Sequence, residues 1–110
     1  MSPKKIHEEL IKQIVAKLVQ ASHPKKIILF GSCARGEMTE GSDIDLLIIE
    51  EQIENKGKEM VRLRNIIGNV GVGVDVLVYS EKEINEWGHL PGTALYAGLR
   101  EGKTIYETTH

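Results

Sequence analysis

Hydrophobic residues near the start of the chain recur with the period of a helix. Between residues 5 and 21 they follow i, i+3 and i, i+4 spacing, in the series Ile6, Leu10, Ile11, Ile14, Val15, Leu18 and Val19. This spacing places them on one face of an amphipathic helix. A proline disfavours helical backbone in the residue before it, so the helix is predicted to end ahead of Pro24.

Two short apolar runs follow, and both predict buried strands. The first, Ile27-Ile28-Leu29-Phe30, is too short for a helix and rich in residues that pack well in sheets. The second, residues 43–49, starts as Asp-Ile-Asp and continues with residues that are apolar on both faces. Between the two runs, Gly31-Ser32 predicts a tight turn, and residues 33–37 are predicted to form a short helix directly after it.

The rest of the chain is predicted to alternate between helices and strands: a helix over 53–67, a strand over 74–79, a short helix from 81 to 87, a helix over 93–101 and an edge strand over 104–106. Gly68 and Gly102 suit the ends of two of these helices. Ser80 and Glu83 have the spacing of a capping box at the start of the short helix. Together these elements predict a single α/β (α+β) domain over residues 1–110, with a short mixed β-sheet flanked by helices.

Composition narrows the class of protein. The chain has 110 residues, 41% of them hydrophobic and 27% charged, and no apolar run approaches the ~20 residues of a membrane span. We therefore expect a cytoplasmic protein with no membrane partner. Cys33 is the single cysteine, which excludes an internal disulfide and a cysteine-based zinc site. A net charge of -2 does not indicate the broad basic surface of a nonspecific nucleic-acid binder.

Candidate chemistry begins with the aspartates of the second strand. Side chains at i and i+2 of a strand point to the same face, so Asp43 and Asp45 should project together, with backbone positions about 6.5 to 7 Å apart. Carboxylate oxygens at that separation can hold one or two Mg²⁺ ions for phosphoryl chemistry. The alternative is that Asp43 ends a polar loop and that Asp45 is exposed at the strand end.

Asp75 strengthens the metal interpretation, because it interrupts a valine-rich strand. An unpaired charge in an apolar setting costs several kcal/mol, which a cation would offset. If the second and third strands are neighbours, Asp75 can face Asp43 and Asp45 and act as metal ligand, general base, or both. The alternative is an edge-strand aspartate that faces solvent.

The turn after the first strand supplies a candidate phosphate site. Gly31 lets a phosphate approach the backbone, while Ser32 and the amides of the following helix can donate hydrogen bonds to it. Alone, Gly-Ser is an ordinary turn. Its position after a buried strand and before a helix, with ten residues between Ser32 and Asp43, makes it a candidate anion cradle.

These motifs together resemble a known family. Gly31-Ser32-Cys33-Ala34-Arg35-Gly36, then Ser42-Asp43-Ile44-Asp45-Leu46, and Asp75 on a later strand are similar to the minimal nucleotidyltransferase (MNT) domains of the DNA polymerase beta-like superfamily. The ending, from Pro91-Gly92-Thr93 to Gly102-Lys103-Thr104-Ile105-Tyr106-Glu107, is also typical of that family. The resemblance implies that the Gly-Ser turn holds the triphosphate of ATP, that the aspartates hold Mg²⁺, and that AMP passes to an acceptor hydroxyl.

The resemblance also implies a partner. Stand-alone MNT domains commonly act as antitoxins that adenylylate an all-helical HEPN ribonuclease toxin, and a chain of this length has little room for a separate acceptor-binding domain. The alternatives are an antitoxin that acts by binding alone and an enzyme that modifies a small molecule such as an aminoglycoside.

Arg35 could neutralise triphosphate charge or brace the turn. Trp87 and Tyr96 are interpreted as core residues, with a partner-facing patch as the alternative.

Overall fold

The computed structural model describes residues 3–31 and 43–108, and in that part of the chain it contains each predicted helix and strand, with differences in some of their bounds. In chain order the elements are α1 (Pro3–Ser22), β1 (Lys26–Phe30), β2 (Ile44–Glu50), α2 (Lys56–Ile67), β3 (Val74–Ser80), α3 (Glu81–Trp87), α4 (Ala94–Glu101) and β4 (Lys103–Glu107). The predicted short helix over 33–37 lies outside the described residues. No helix in the described ranges is long and apolar enough to cross a membrane.

The strands form one mixed sheet with the spatial order β3-β2-β1-β4. β1 pairs antiparallel with both β2 and β4, whereas β2 and β3 run parallel. The carboxyl end of β1 therefore lies beside the amino ends of the other three strands. We call this edge of the sheet, defined by Phe30, Asp45, Asp75 and Lys103, the upper edge. It brings together residues that are far apart in sequence.

The two faces of the sheet are covered differently. The larger core cluster packs α1 and α2 against the face that carries Ile27, Leu46 and Val76. The smaller cluster packs Leu95 of α4 against Ile28, Leu47 and Ile49 on the opposite face. Because residues 46–49 are all buried, β2 is apolar on both faces, as its sequence predicts. The sheet is thus packed on both faces between its ends, where the polar residues lie.

Side chains that cap the helices fix their first residues. The Asn55 side chain accepts a hydrogen bond from the Lys58 amide at 3.0 Å, so α2 begins at Lys56 rather than at residue 53. The capping box predicted for α3 is present, since Ser80 and Glu83 each accept a hydrogen bond from the backbone amide of the other.

Contacts between elements also locate the aromatic residues. Lys56 pairs with Glu83, and its Nζ lies 3.8 Å from the centroid of the Tyr79 ring, which ties α2 to β3 and α3. Trp87 is 51% exposed, so its interpretation as a core residue was wrong. It is the last residue of a seven-residue helix that contributes no buried residue. Tyr96 is half-buried and accepts a hydrogen bond from Arg100 at 3.0 Å.

Candidate active site

The upper edge collects the aspartates that the sequence singled out. Asp45 lies opposite Phe30 of β1 on one side and opposite Asp75 of β3 on the other. Adjacent strands lie about 4.8 Å apart, so Asp45 and Asp75 occupy neighbouring positions across the parallel pair. This register meets the condition on which Asp75 was expected to face Asp45, namely that the second and third strands are neighbours.

Strand alternation also decides the face on which these side chains lie. Leu47 and Leu77 follow Asp45 and Asp75 by two residues; Leu47 belongs to the smaller core cluster, and Leu77 is partly buried and packs against it. Asp45 and Asp75 therefore share the face of the sheet that α4 covers further along. Asp43 lies one residue before β2, two positions from Asp45, and is exposed.

Gly31 brings the backbone of the turn into contact with Asp45. Its φ of 75° lies in the left-handed region, which side chains other than hydrogen rarely tolerate. A Cβ atom on Gly31 would lie 3.2 Å from Cγ of Asp45 and closer still to Oδ2. The carboxylate thus lies directly against Gly31, the residue that follows β1. Ser32, Cys33 and Arg35 lie outside the described residues.

The structure corrects the argument made from the surroundings of Asp75. β3 is an edge strand among the described strands, and Asp75 is exposed rather than buried between valines. Its charge is therefore solvated and does not require a cation to offset burial. Asp75 is a candidate site residue because it lies beside Asp45, not because burial of its charge would be costly. Its exposure leaves the carboxylate accessible to an acceptor molecule.

The upper edge offers the kind of donors that a hard cation prefers. Asp43, Asp45 and Asp75 supply carboxylate oxygens at one accessible edge of the sheet, which suits Mg²⁺ better than a thiophilic metal. In residues 3–31 and 43–108, however, no three His, Cys, Asp or Glu side chains converge closely enough to hold an ion. The aspartates fit a magnesium site in the chemistry of their donor atoms, but in the described part of the chain they do not converge into a ligand set.

A second acidic cluster lies at the opposite end of β2 and was not found from the sequence. Glu50 is 8% exposed, and its Oε2 atom has no hydrogen-bond partner among the described residues. Burial, followed by the hydrogen bond to Glu59 and its charge, raises the pKa of Glu50 to about 8. Glu59 accepts hydrogen bonds from Arg62 at 2.7 and 2.8 Å, and this guanidinium lowers the pKa of Glu59.

This cluster is separate from the upper edge and joins β2 to α2. Arg62 also donates to the backbone carbonyl of Ala21 at 3.2 Å, which extends the connection to the end of α1. The available sequence signal was a glutamate that ends an otherwise apolar strand. Glu50 alone does not reveal that α2 would place a carboxylate and a guanidinium against it.

Comparisons with known proteins agree with this geometry. Residues 8–103 match the family model described as "Nucleotidyltransferase domain". A Methanocaldococcus jannaschii protein named "Putative protein adenylyltransferase" is 34% identical over 104 residues, which cover 90% of this chain and 97% of that relative.

Solved structures support the fold. The "putative nucleotidyltransferase" from Sulfolobus solfataricus has a TM-score of 0.69 at 22% identity, covering 96% of this chain and 84% of that one. Spectinomycin adenyltransferase from Enterococcus faecialis, solved with ATP and spectinomycin, has a TM-score of 0.59 at 19% identity, covering 93% of this chain and 55% of that one. With the family match over residues 8–103, the chain belongs to the nucleotidyltransferase domain family, and it is a nucleotidyltransferase.

Proposed function

We propose that this nucleotidyltransferase transfers AMP from ATP to a hydroxyl group of a partner protein. The observation that carries the proposal is the similarity to a relative named as a protein adenylyltransferase, which extends over 97% of that relative. The accessible upper edge is compatible with an acceptor as large as a protein. Asp75 lies on an edge strand and is exposed, so a hydroxyl on another chain can reach it.

The proposed reaction is a displacement at the α-phosphorus of ATP. A bond forms between the acceptor oxygen and that phosphorus, the bond to the oxygen that bridges the α and β phosphates breaks, and pyrophosphate leaves. Asp75 accepts the proton of the attacking hydroxyl. In this proposal the triphosphate binds at the turn after β1 to Ser32 and Arg35, and Gly31 leaves room for the Asp45 carboxylate beside it. Mg²⁺ held by Asp43, Asp45 and Asp75 would stabilise the charge that develops on the phosphate oxygens.

The proposed partner is a HEPN-type ribonuclease toxin, with this chain as its antitoxin in a hetero-oligomer. This part of the proposal rests on the similarity of the Gly31–Gly36 and Ser42–Leu46 motifs to MNT domains, whose stand-alone members act in such pairs. Adenylylation of the toxin would neutralise its ribonuclease activity. An all-helical ribonuclease encoded in the adjacent reading frame would supply the partner for the test.

The test is to incubate the purified chain with ATP, Mg²⁺ and the unmodified partner, and to measure the intact mass of the partner. We expect the partner to gain the mass of AMP, and we expect no gain when Mg²⁺ is removed by a chelator. An unchanged mass under conditions in which the two proteins bind would refute protein adenylylation. Modification of spectinomycin or another aminoglycoside without any protein partner would favour the small-molecule alternative.

A double variant separates catalysis from binding. Asp43→Asn with Asp45→Asn removes two carboxylates from the upper edge and keeps side chains of similar size. We expect this variant to bind the partner and to fail to neutralise it in cells. Unchanged neutralisation would favour an antitoxin that acts by contact alone.

A further inference from the structure

We propose that Gly73 is a positioning residue for Asp43, so that the site depends on a second glycine outside the Gly-Ser turn. The proposal rests on the proposed function, since it takes Asp43 to be a metal ligand. Gly73 is the residue before β3, and its carbonyl accepts a hydrogen bond from the Ile44 amide at 2.8 Å. This bond holds the start of β3 beside the start of β2.

The side chain of Asp43 occupies the space that a side chain on Gly73 would need. A Cβ atom at position 73 would lie 2.9 Å from Cγ of Asp43, with Oδ1 closer still. Carbon atoms in normal contact are separated by about 3.5 to 4.0 Å, so both groups cannot occupy these positions. Gly73 does not have a positive φ, and the requirement for glycine there comes from the carboxylate rather than from backbone strain.

The same arrangement occurs twice at the upper edge. Gly31 leaves room for the carboxylate of Asp45, and Gly73 leaves room for the carboxylate of Asp43. Each glycine belongs to a different segment from the aspartate that it accommodates. Asp45 of β2 thus lies against the backbone at the end of β1, and Asp43, one residue before β2, lies against the backbone before β3.

The effect of a substitution at Gly73 depends on whether the Asp43 side chain can move away. The obstructing atoms are the far end of a flexible side chain, and Gly73 is exposed, so an alanine can be accommodated by rotation of Asp43. Gly73→Ala should leave the fold intact and displace the Asp43 carboxylate. Changes around a metal ligand that disturb its orientation typically weaken metal affinity by about 10- to 100-fold.

The experiment measures Mn²⁺ binding in the presence of α,β-methylene ATP, from the electron paramagnetic resonance signal of free Mn²⁺, together with thermal unfolding. We expect Gly73→Ala to weaken Mn²⁺ binding by about tenfold without lowering the unfolding midpoint. We expect Asp43→Asn to weaken binding at least as much, and Gly73→Ala to add nothing in the Asp43→Asn background. Gly57→Ala is the matched control, because a Cβ there would meet only Asn55 Oδ1, at 3.6 Å.

Three results would overturn the inference. Wild-type Mn²⁺ affinity in Gly73→Ala, with affinity lost in Asp43→Asn, would reject the positioning role and leave the proposed function standing. An equal loss from Gly73→Ala with or without Asp43→Asn would show that Gly73 acts through the fold in general. Wild-type affinity in Asp43→Asn would reject Asp43 as a ligand, and the inference with it.

Discussion

Glu50→Gln tests the account of the buried acidic cluster at the far end of β2. Glu50 is 8% exposed, and the structure raises its pKa to about 8 from an ordinary value of 4.5. The substitution replaces a titrating acid with a neutral amide of the same shape, which can still donate a hydrogen bond to Glu59. The charged groups that face Glu50 are Glu59 and Arg62, both from α2.

The sign and size of the effect follow from proton linkage. Between about pH 5 and pH 8 the folded protein holds a proton on Glu50 that the unfolded chain has released, so the free energy of unfolding falls as pH rises. The slope is about 1.4 kcal/mol for each pH unit. Glu59, whose pKa is lowered, contributes stability above its ordinary pKa that is lost only in acid, below this window. The Gln variant should lack the Glu50 contribution to the slope.

The assay is urea unfolding followed by far-UV circular dichroism at a series of pH values. We expect the stability of Glu50→Gln relative to wild type to rise by up to roughly 3 kcal/mol between about pH 5 and pH 7.5. Glu51→Gln is the matched control, since Glu51 is adjacent and exposed, and it should follow the wild-type curve. Parallel pH dependences for wild type and Glu50→Gln would refute the reasoning.

Three further substitutions test other parts of the structure. Gly31→Ala places a side chain at a φ of 75° and against Asp45. It should lower the free energy of unfolding by about 1 to 2 kcal/mol, measured by thermal unfolding, and abolish nucleotidyl transfer. Retained activity would contradict the contact. Ser80→Ala removes half of the α3 capping box and should lower stability by about 1 kcal/mol in urea unfolding. Leu63→Ala empties a fully buried position of α2 and should cost about 2 to 5 kcal/mol by the same measurement.

The sequence predicted the elements because most of their signals are local. The helical spacing before Pro24 gives α1, and the capping box at Ser80 gives the start of α3. The start of α2 was placed too early because Ile53 fits the apolar period, whereas the cap at Asn55 decides the first helical residue. Trp87 was assigned to the core, with a partner-facing patch as the alternative. Its position at the end of a short helix, which the sequence pattern does not reveal, leaves it exposed.

The candidate site was predicted in part, because strand alternation is local and strand pairing is not. Two-residue spacing predicts that Asp43 and Asp45 share a face, and the parallel register of β2 and β3 places Asp75 opposite Asp45. The burial of Asp75 was predicted wrongly, because a valine-rich strand has the same sequence pattern whether it lies in the middle of a sheet or at its edge. The sequence pattern does not single out Gly73, because its contact with Asp43 spans 30 positions of sequence.

The most direct test of the central claim uses ATP that is radiolabelled at either its α or its γ phosphate. The account predicts that, with Mg²⁺ present, the partner protein acquires label from α-labelled ATP, while the label of γ-labelled ATP leaves in pyrophosphate. Asp45→Asn should lose the transfer. Label on the partner from γ-labelled ATP would indicate phosphoryl transfer instead, and label from neither nucleotide on an authentic, bound partner would contradict AMP transfer to it.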